Sequence, residues 1–214
     1  MDRVYRRQRH IYDLTRKFYL LGRDRMIDEL APKPGARVVE VGCGTARNLI
    51  RIARRYPDSR LFGLDASQAM LETAAVAIGR AGLSSRITLA QGYAETLGPA
   101  AFGESVPFDN ILFSYSLSMI PDWRQALRAA RDTLAAGGRI HVVDFGDLES
   151  LVAPARLALL KWLALFHVAP RRELLRALEN AAGGQLRVLP GRYAFLFSAN
   201  AENLACLDSA LLHD

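Results

Sequence analysis

The sequence predicts an α/β domain on a doubly wound, mostly parallel sheet, and three observations predict it. Short β-branched runs alternate with helical stretches through the first 150 residues. That pattern implies right-handed crossovers and helices on both faces of a sheet. The first run, Val38-Val39-Glu40-Val41, ends in Gly42-Cys43-Gly44 and passes into a helical stretch. The second run ends in an acid, Asp65.

Taken in order, residues 1–30 read as helix. Ile11, Leu14, Phe18 and Leu21 recur at helical spacing, and Tyr12, Arg16 and Tyr19 mark a second face. One face could pack on a core while the other points at something polar. Ala31-Pro32-Lys33-Pro34-Gly35 punctuates the chain. Residues 36–41 form a buried parallel strand, 48–56 a helix and 60–64 the next strand. Ser67 caps a helix over 68–81. Residues 86–91 and 108–114 are the third and fourth strands. A helix over 123–135 is stopped by Gly137-Gly138, and 139–144 is the fifth strand. The tail differs: 157–168 is strongly apolar and helical, and 173–182 is a further helix. Residues 185–189 and 193–198 flank Pro190-Gly191-Arg192, a hairpin that adds antiparallel strands to the sheet edge. The expectation is one domain, with an N-terminal helical lid over 1–30, a core over 31–150, and an apolar helix and hairpin over 151–214.

Composition bounds the function. The 214 residues are 50% hydrophobic and 23% charged, as in a single well-packed domain. The net charge of +6 argues for an anionic partner: nucleic acid, a membrane surface or an acidic metabolite. Two cysteines, Cys43 and Cys206, exclude a disulfide scaffold and a Cys-rich zinc module. The four histidines are scattered, so no metal is expected. The N-terminus has charge but no apolar core, and no run reaches the ~18 apolar residues of a membrane span. A cytoplasmic, reducing compartment is expected.

Only glycine lets a ligand approach the backbone of a strand-to-helix turn closely. Here the glycine turn is in register with Glu40 before it, and with Asp65, placed to bind ribose hydroxyls 21 residues after Gly44. Gln91-Gly92-Tyr93-Ala94-Glu95 follows the third strand. A dinucleotide-binding oxidoreductase is the alternative, but its G-x-G-x-x-G fingerprint needs a third glycine where this chain has Arg47.

Over residues 36–145 this pattern resembles the class I S-adenosylmethionine-dependent methyltransferases. The resemblance implies a Rossmann-like, seven-stranded sheet with an antiparallel last strand, and S-adenosylmethionine as cofactor. It implies that the glycine loop holds the cofactor's amino-acid portion, that Asp65 binds the ribose, and that Ala66, Met70, Ala94 and Glu95 surround the adenine. Many relatives have Asp where this chain has Tyr93, which could stack instead. Glu40, Gly42, Cys43, Gly44, Asn48, Gly92 and Ser114 complete the implied cofactor set. Cys43 reads as a small turn residue rather than a nucleophile.

The flanks point to a substrate. The run Tyr5 to Asp24, the segment Ser114-Tyr115-Ser116-Leu117-Ser118-Met119-Ile120-Pro121 and Gly191-Arg192-Tyr193-Ala194-Phe195 are similar to the diacylglyceryl-homoserine N-methyltransferases of betaine-lipid synthesis. That resemblance implies three successive methylations of a lipid-borne homoserine amine, with the enzyme that makes diacylglyceryl-homoserine as a partner. Charge placement agrees: residues 1–23 carry a net +5 and residues 151–176 a net +4. The second stretch also holds a short apolar helix with Trp162 and flanking cations, as an interfacial element does; the same helix could simply cover the sheet. An anionic membrane surface, bound peripherally, is therefore preferred over nucleic acid, for which no recognition module is present. Aromatic faces suit quaternary ammonium groups, so Tyr12, Tyr19 and Tyr115 are candidates to line the headgroup pocket, or else are packing aromatics. Arg16 could bind a carboxylate of cofactor or homoserine. Asp144 or His141, on the fifth strand, could accept the amine proton, with His167 a further candidate; a buried strand histidine also serves structure alone. Two other readings stay open: a small-molecule or quinone methyltransferase of the same fold, and a non-catalytic cofactor-binding, membrane-associated protein.

Overall fold

The structure, a computed structural model, describes residues 20–164, 170–181 and 183–204. Among these, β1 (Arg37–Val41), β2 (Arg60–Asp65), β3 (Ile87–Gln91), β4 (Phe108–Ser114), β5 (Leu134–Phe145), β6 (Gln185–Val188) and β7 (Ala194–Asn200) form one sheet. The strand order is β3-β2-β1-β4-β5-β7-β6. Strands β1 to β5 pair in parallel, and β7 runs antiparallel to both β5 and β6. The expected doubly wound, seven-stranded α/β fold is observed.

Side-chain alternation along the central strands builds two apolar layers. Val39, Val41, Ile111, Phe113 and Val142 face α4 (Trp123–Asp132) and α6 (Arg172–Glu179). Val38, Leu112 and Val143 face α1 (Arg23–Glu29), α2 (Arg47–Arg55), α3 (Gln68–Arg80) and α5 (Ala153–Ala164). Strands buried on both faces explain why the sequence reads as continuous apolar runs rather than alternation.

Local chemistry sets the boundaries. The Ser67 hydroxyl accepts from Met70 N at the start of α3, as expected of a cap. Asp122 does the same for α4 through Gln125 N at 2.9 Å. Two boundaries differ from the sequence reading. The 1–30 helix is not continuous: Gly22 is left-handed (φ 84), and α1 begins only at Arg23. Residues 1–19 lie outside the described residues. The helix over 123–135 ends at Asp132, and Gly137-Gly138 are not its stop. Thr133 turns its hydroxyl back onto Ala129 O, and the chain enters β5 at Leu134. The two glycines lie where the β4–β5 register shifts, between the Phe108–Leu134 and Asn110–Arg139 pairs. A Cβ on Gly138 would stand 2.9 Å from Asp109 O, so the bulge needs glycine there.

Beyond β5 a side-chain clamp ties the sheet edge to the tail. The Asp147 carboxylate accepts from Arg192 Nε at 2.7 Å and Nη2 at 2.6 Å, and Arg192 also reaches Glu179. Arg192's hydrogen bonds hold the Asp147 carboxyl below the usual aspartate range, against a smaller opposing effect of burial. A depressed folded-state pKa gives stability that is present above the unfolded value near 3.8 and lost as pH falls through the folded value. Asp147→Asn should therefore cost about 1–3 kcal/mol at pH 7 in urea denaturation. The gap to the native chain should close in acid, below the ordinary aspartate pKa.

Candidate functional site: a cofactor cradle at the C-terminal ends of the strands

At the end of β1 the backbone turns at Gly42 with φ 74, where a Cβ would come within 2.7 Å of Ser116 Cβ. Gly42 N and Cys43 N both donate to Leu64 O, at 2.8 and 3.0 Å, lashing the loop to β2. Gly44 N donates to Asp65 Oδ2 at 2.8 Å, and Ser67 N to Asp65 Oδ1 at 2.9 Å. The carboxylate at the end of β2 is thus held at the mouth of the glycine loop. Cys43 is buried, and burial pushes its thiol well above the ordinary range, which suits the small turn residue and not a nucleophile.

Behind the loop, Glu40 is 2% exposed in the apolar layer under α2. Its Oε1 accepts from Asn48 Nδ2 at 2.7 Å, and the same amide nitrogen reaches Ser114 Oγ at 3.1 Å. Oε2 is buried without a hydrogen-bond partner. Burial lifts this carboxyl to about 7, with the Asn48 hydrogen bond opposing. Two cations also oppose the rise, Arg23, buried at the start of α1, and Arg47, at the start of α2, while the Asp65 charge adds to it. Sequence reading missed both. Arg23 lies among many arginines, and only the left-handed turn at Gly22 brings it beside Glu40.

On the other side of the crevice Ala66 and Met70, after β2, lie beside the segment after β3, with Gln91 Nε2 donating to Ala66 O at 3.3 Å. Met70 and Ala94 are buried there, Gly92 and Glu95 are half-buried, and Tyr93 is 68% exposed with its ring available for stacking. The structure therefore gathers Glu40, Gly42, Cys43, Gly44, Asn48, Asp65, Ala66, Met70, Gly92, Tyr93, Ala94, Glu95 and Ser114 along one edge of the sheet.

The acceptor candidates are distributed differently. Tyr115 follows β4 in a left-handed conformation (φ 56), buried, with its hydroxyl donating to Leu21 O at 2.6 Å and its ring edge-on to Phe145. Burial raises its pKa well above the ordinary value. Asp144 is fully buried at the end of β5, accepting from Ser118 N at 3.0 Å and Phe145 N at 2.8 Å. Burial lifts it to about 6 against those hydrogen bonds. It holds the turn after β4 in place. His141 points to the opposite face of β5 and lies 3.1 Å from Asn110 Oδ1. Burial, aided by the Arg139 charge, lowers it to about 4, and its partner is Asn110 on β4 within the sheet. Tyr12, Tyr19, Arg16 and His167 lie outside the described residues. Among the described residues no group of His, Cys, Asp and Glu could hold a metal, and no helix is long and apolar enough to cross a membrane.

Residues 38–138 match the family described as a methyltransferase domain. The chain is 34% identical over 119 residues to trans-aconitate 2-methyltransferase of Streptomyces avermitilis, covering 56% of this chain and 42% of that protein. It is 30% identical over 130 residues to the ubiquinone/menaquinone biosynthesis C-methyltransferase of Cereibacter sphaeroides, covering 61% and 50%. The chain thus spans about half the length of these curated relatives. Among solved structures it superposes on the apo S-adenosylmethionine-dependent methyltransferase SibL with a TM-score of 0.67, at 22% identity, over 89% of this chain and 57% of that one. It also superposes on the [4+2]-cyclase SpnF with a TM-score of 0.51, at 26% identity, over 57% and 43%. Over residues 38–138 the chain is thus similar to S-adenosylmethionine-dependent methyltransferase domains. The sheet and crevice around them have the corresponding Rossmann-like fold.

The residues present fit that cofactor. A buried carboxylate oxygen without a partner, on Glu40, suits an ammonium group. The glycine turn leaves no room for a side chain, and Asp65 stands beside it. Asp65→Ala should abolish calorimetrically detectable S-adenosylhomocysteine binding while leaving the far-UV circular dichroism unchanged. A second expectation concerns pH. A carboxyl raised from 4.5 to about 7 favours the folded state when protonated, so cofactor-free stability should fall as pH rises across that window. Glu40→Gln should remove that slope, which amounts to on the order of 3 kcal/mol between its ends. Thermal midpoints of both proteins from pH 5 to 8 test it.

Proposed function

We propose that the chain is an N-methyltransferase that converts diacylglyceryl-homoserine to the trimethylated betaine lipid by three successive methyl transfers. The similarity of the flanking segments to the betaine-lipid enzymes supports this reading. The observation that carries it furthest is α5. This helix buries Leu163 and packs Leu159, Leu160 and Trp162 against the core below. Its other side, with the residue before it, stays open: Val152 is 71% and Leu157 56% exposed. Lys161 and Arg156 are its charged residues, and it contains no acid. A helix with one face in the protein and a cationic, apolar face outside suits peripheral contact with an anionic membrane. The compartment in this reading is the cytoplasm, on the inner face of the membrane, close to the enzyme that makes the substrate.

When bound, S-adenosylmethionine supplies a methyl group on a sulfonium for in-line displacement by an amine. The chain's own work is to position and to exclude water. Asp65, Glu40 and the glycine loop orient the cofactor end of the crevice. Asp144, through Ser118 N, fixes the turn carrying Tyr115 and Ser116, which forms the wall beside it. In this reading Tyr12, Tyr19 and Tyr115 offer aromatic faces to the growing ammonium charge, and Arg16 meets a carboxylate. The amine must reach the site neutral, so turnover should rise with pH through the amine's titration.

A second reading, a quinone or other small-molecule methyltransferase, is favoured by the 30% identity to the quinone-biosynthesis C-methyltransferase. Purified protein supplied with labelled S-adenosylmethionine and either diacylglyceryl-homoserine or a demethylquinone separates the two. The proposal predicts a trimethylated lipid by mass spectrometry, and methylated quinone alone would overturn it. Flotation with phosphatidylglycerol vesicles should recover the protein, and neutralising Arg3, Arg6, Arg7 and Arg9 should lower the recovered fraction.

A further inference from the structure

Arg47 stands where a dinucleotide-binding turn would place its third glycine, and the side chain is not idle there. Its Nη1 donates to Asn48 Oδ1 at 3.1 Å, and its Nη2 pairs with Asp24 Oδ1 at 3.0 Å. Asp24 is itself anchored from α2 by Arg51 Nη1 at 2.8 Å. Each contact limits the next. With a guanidinium on its oxygen, the Asn48 amide can only turn its NH2 inward, where Nδ2 meets Glu40 Oε1 at 2.7 Å and Ser114 Oγ at 3.1 Å. That arrangement occupies one oxygen of Glu40 and leaves Oε2 as a buried acceptor without a partner.

An asparagine amide has a second orientation, related by a flip, in which its oxygen faces the carboxyl. A protonated Glu40 would accept that partner by donating to it. Such a Glu40 has lost the charge that an ammonium group needs. Burial makes the protonated form accessible near neutral pH, so the choice between orientations matters under ordinary conditions.

We propose that Arg47 is a positioning residue for the cofactor's amino group: braced by Asp24, it fixes the Asn48 amide so that Glu40 presents an ionised, singly occupied carboxylate to the crevice. The inference rests on the cofactor reading above and concerns recognition of the ammonium end alone. Arg47 need not touch the cofactor. A lysine cannot replace it fully, because a single ammonium lacks the planar fork that spans Asp24 and Asn48 together.

Calorimetry with two probes tests this: S-adenosylhomocysteine, and its analogue with the amino group replaced by hydrogen. The wild-type chain should prefer the amino-bearing probe. Arg47→Gln should lose about tenfold of that preference, the scale of one charge-assisted hydrogen bond, while binding the deaminated probe as well as the wild type does. Its affinity for S-adenosylhomocysteine should recover as pH rises from 6 to 8.5 and Glu40 ionises without help. Arg47→Lys and Asp24→Asn should fall between the two. An unchanged preference in Arg47→Gln would overturn the proposal. So would an equal loss for both probes, which marks a merely structural role. Wild-type protein that binds neither probe would remove the cofactor reading itself, and the proposal with it.

Discussion

A carboxylate buried among leucines and valines is the constraint around which this domain is arranged. Glu40 projects into the layer formed by Val38, Leu49, Leu112 and Val143. An uncompensated charge there would cost several kcal/mol. One amide makes it tolerable: Asn48, on the first turn of α2, bonds Glu40 on β1 and Ser114 on β4 at once. This contact ties α2 to the two central strands, beside the packing of Leu49, Ile52 and Ala53. The glycine turn between β1 and α2 then has one path to follow, and that path carries Gly44 N to Asp65. The glycine loop, Asp65 and Glu40 are thus tied together around one buried polar node.

The two rims of the crevice are built on different logic. The glycine-loop rim is backbone tied to the end of the adjacent strand β2: Leu64 O to the loop, Asp65 to Gly44 and Ser67. The facing rim draws on several separate segments of the chain. Asp144 reaches the turn after β4, Tyr115 reaches back to Leu21, and Arg171 Nη2 on the N-terminal side of α6 donates to Ile120 O at 2.9 Å. A rim assembled from distant segments can be altered piece by piece without disturbing the cofactor side. This suits a fold whose relatives include a trans-aconitate and a quinone-biosynthesis methyltransferase.

The same division explains what could be read in the sequence. The alternation of strands and helices, the glycine turn, Asp65 and the Ser67 cap are written in residues close together, so pattern alone located them. The tandem glycines at 137 and 138 misled because they usually end helices; here they serve a bulge where a Cβ on Gly138 would meet both Ala135 O and Asp109 O at 2.9 Å. Gly22 was embedded in an apolar and cationic run of helical period, and nothing local distinguished its left-handed turn. His141 and Asp144 are three residues apart on one strand: Asp144 stands at its C-terminal end and reaches the turn after β4, while His141 lies farther back, beside Asn110. The roles of Arg23 and Arg47 depend on where α1 is placed over α2, which spacing does not encode.

The order of the last strands has a consequence for how the chain comes off the ribosome. Among the described residues β6 bonds only to β7, while β7 occupies the place beside β5. Until residue 200 has emerged, β6 has no strand to join. Meanwhile β5 presents seven ladder positions, from Arg139 to Phe145, to whatever strand comes near. An apolar open edge of that length invites pairing with other chains. The domain is therefore most exposed to misassembly in the short interval when β5 is already made and β7 is not.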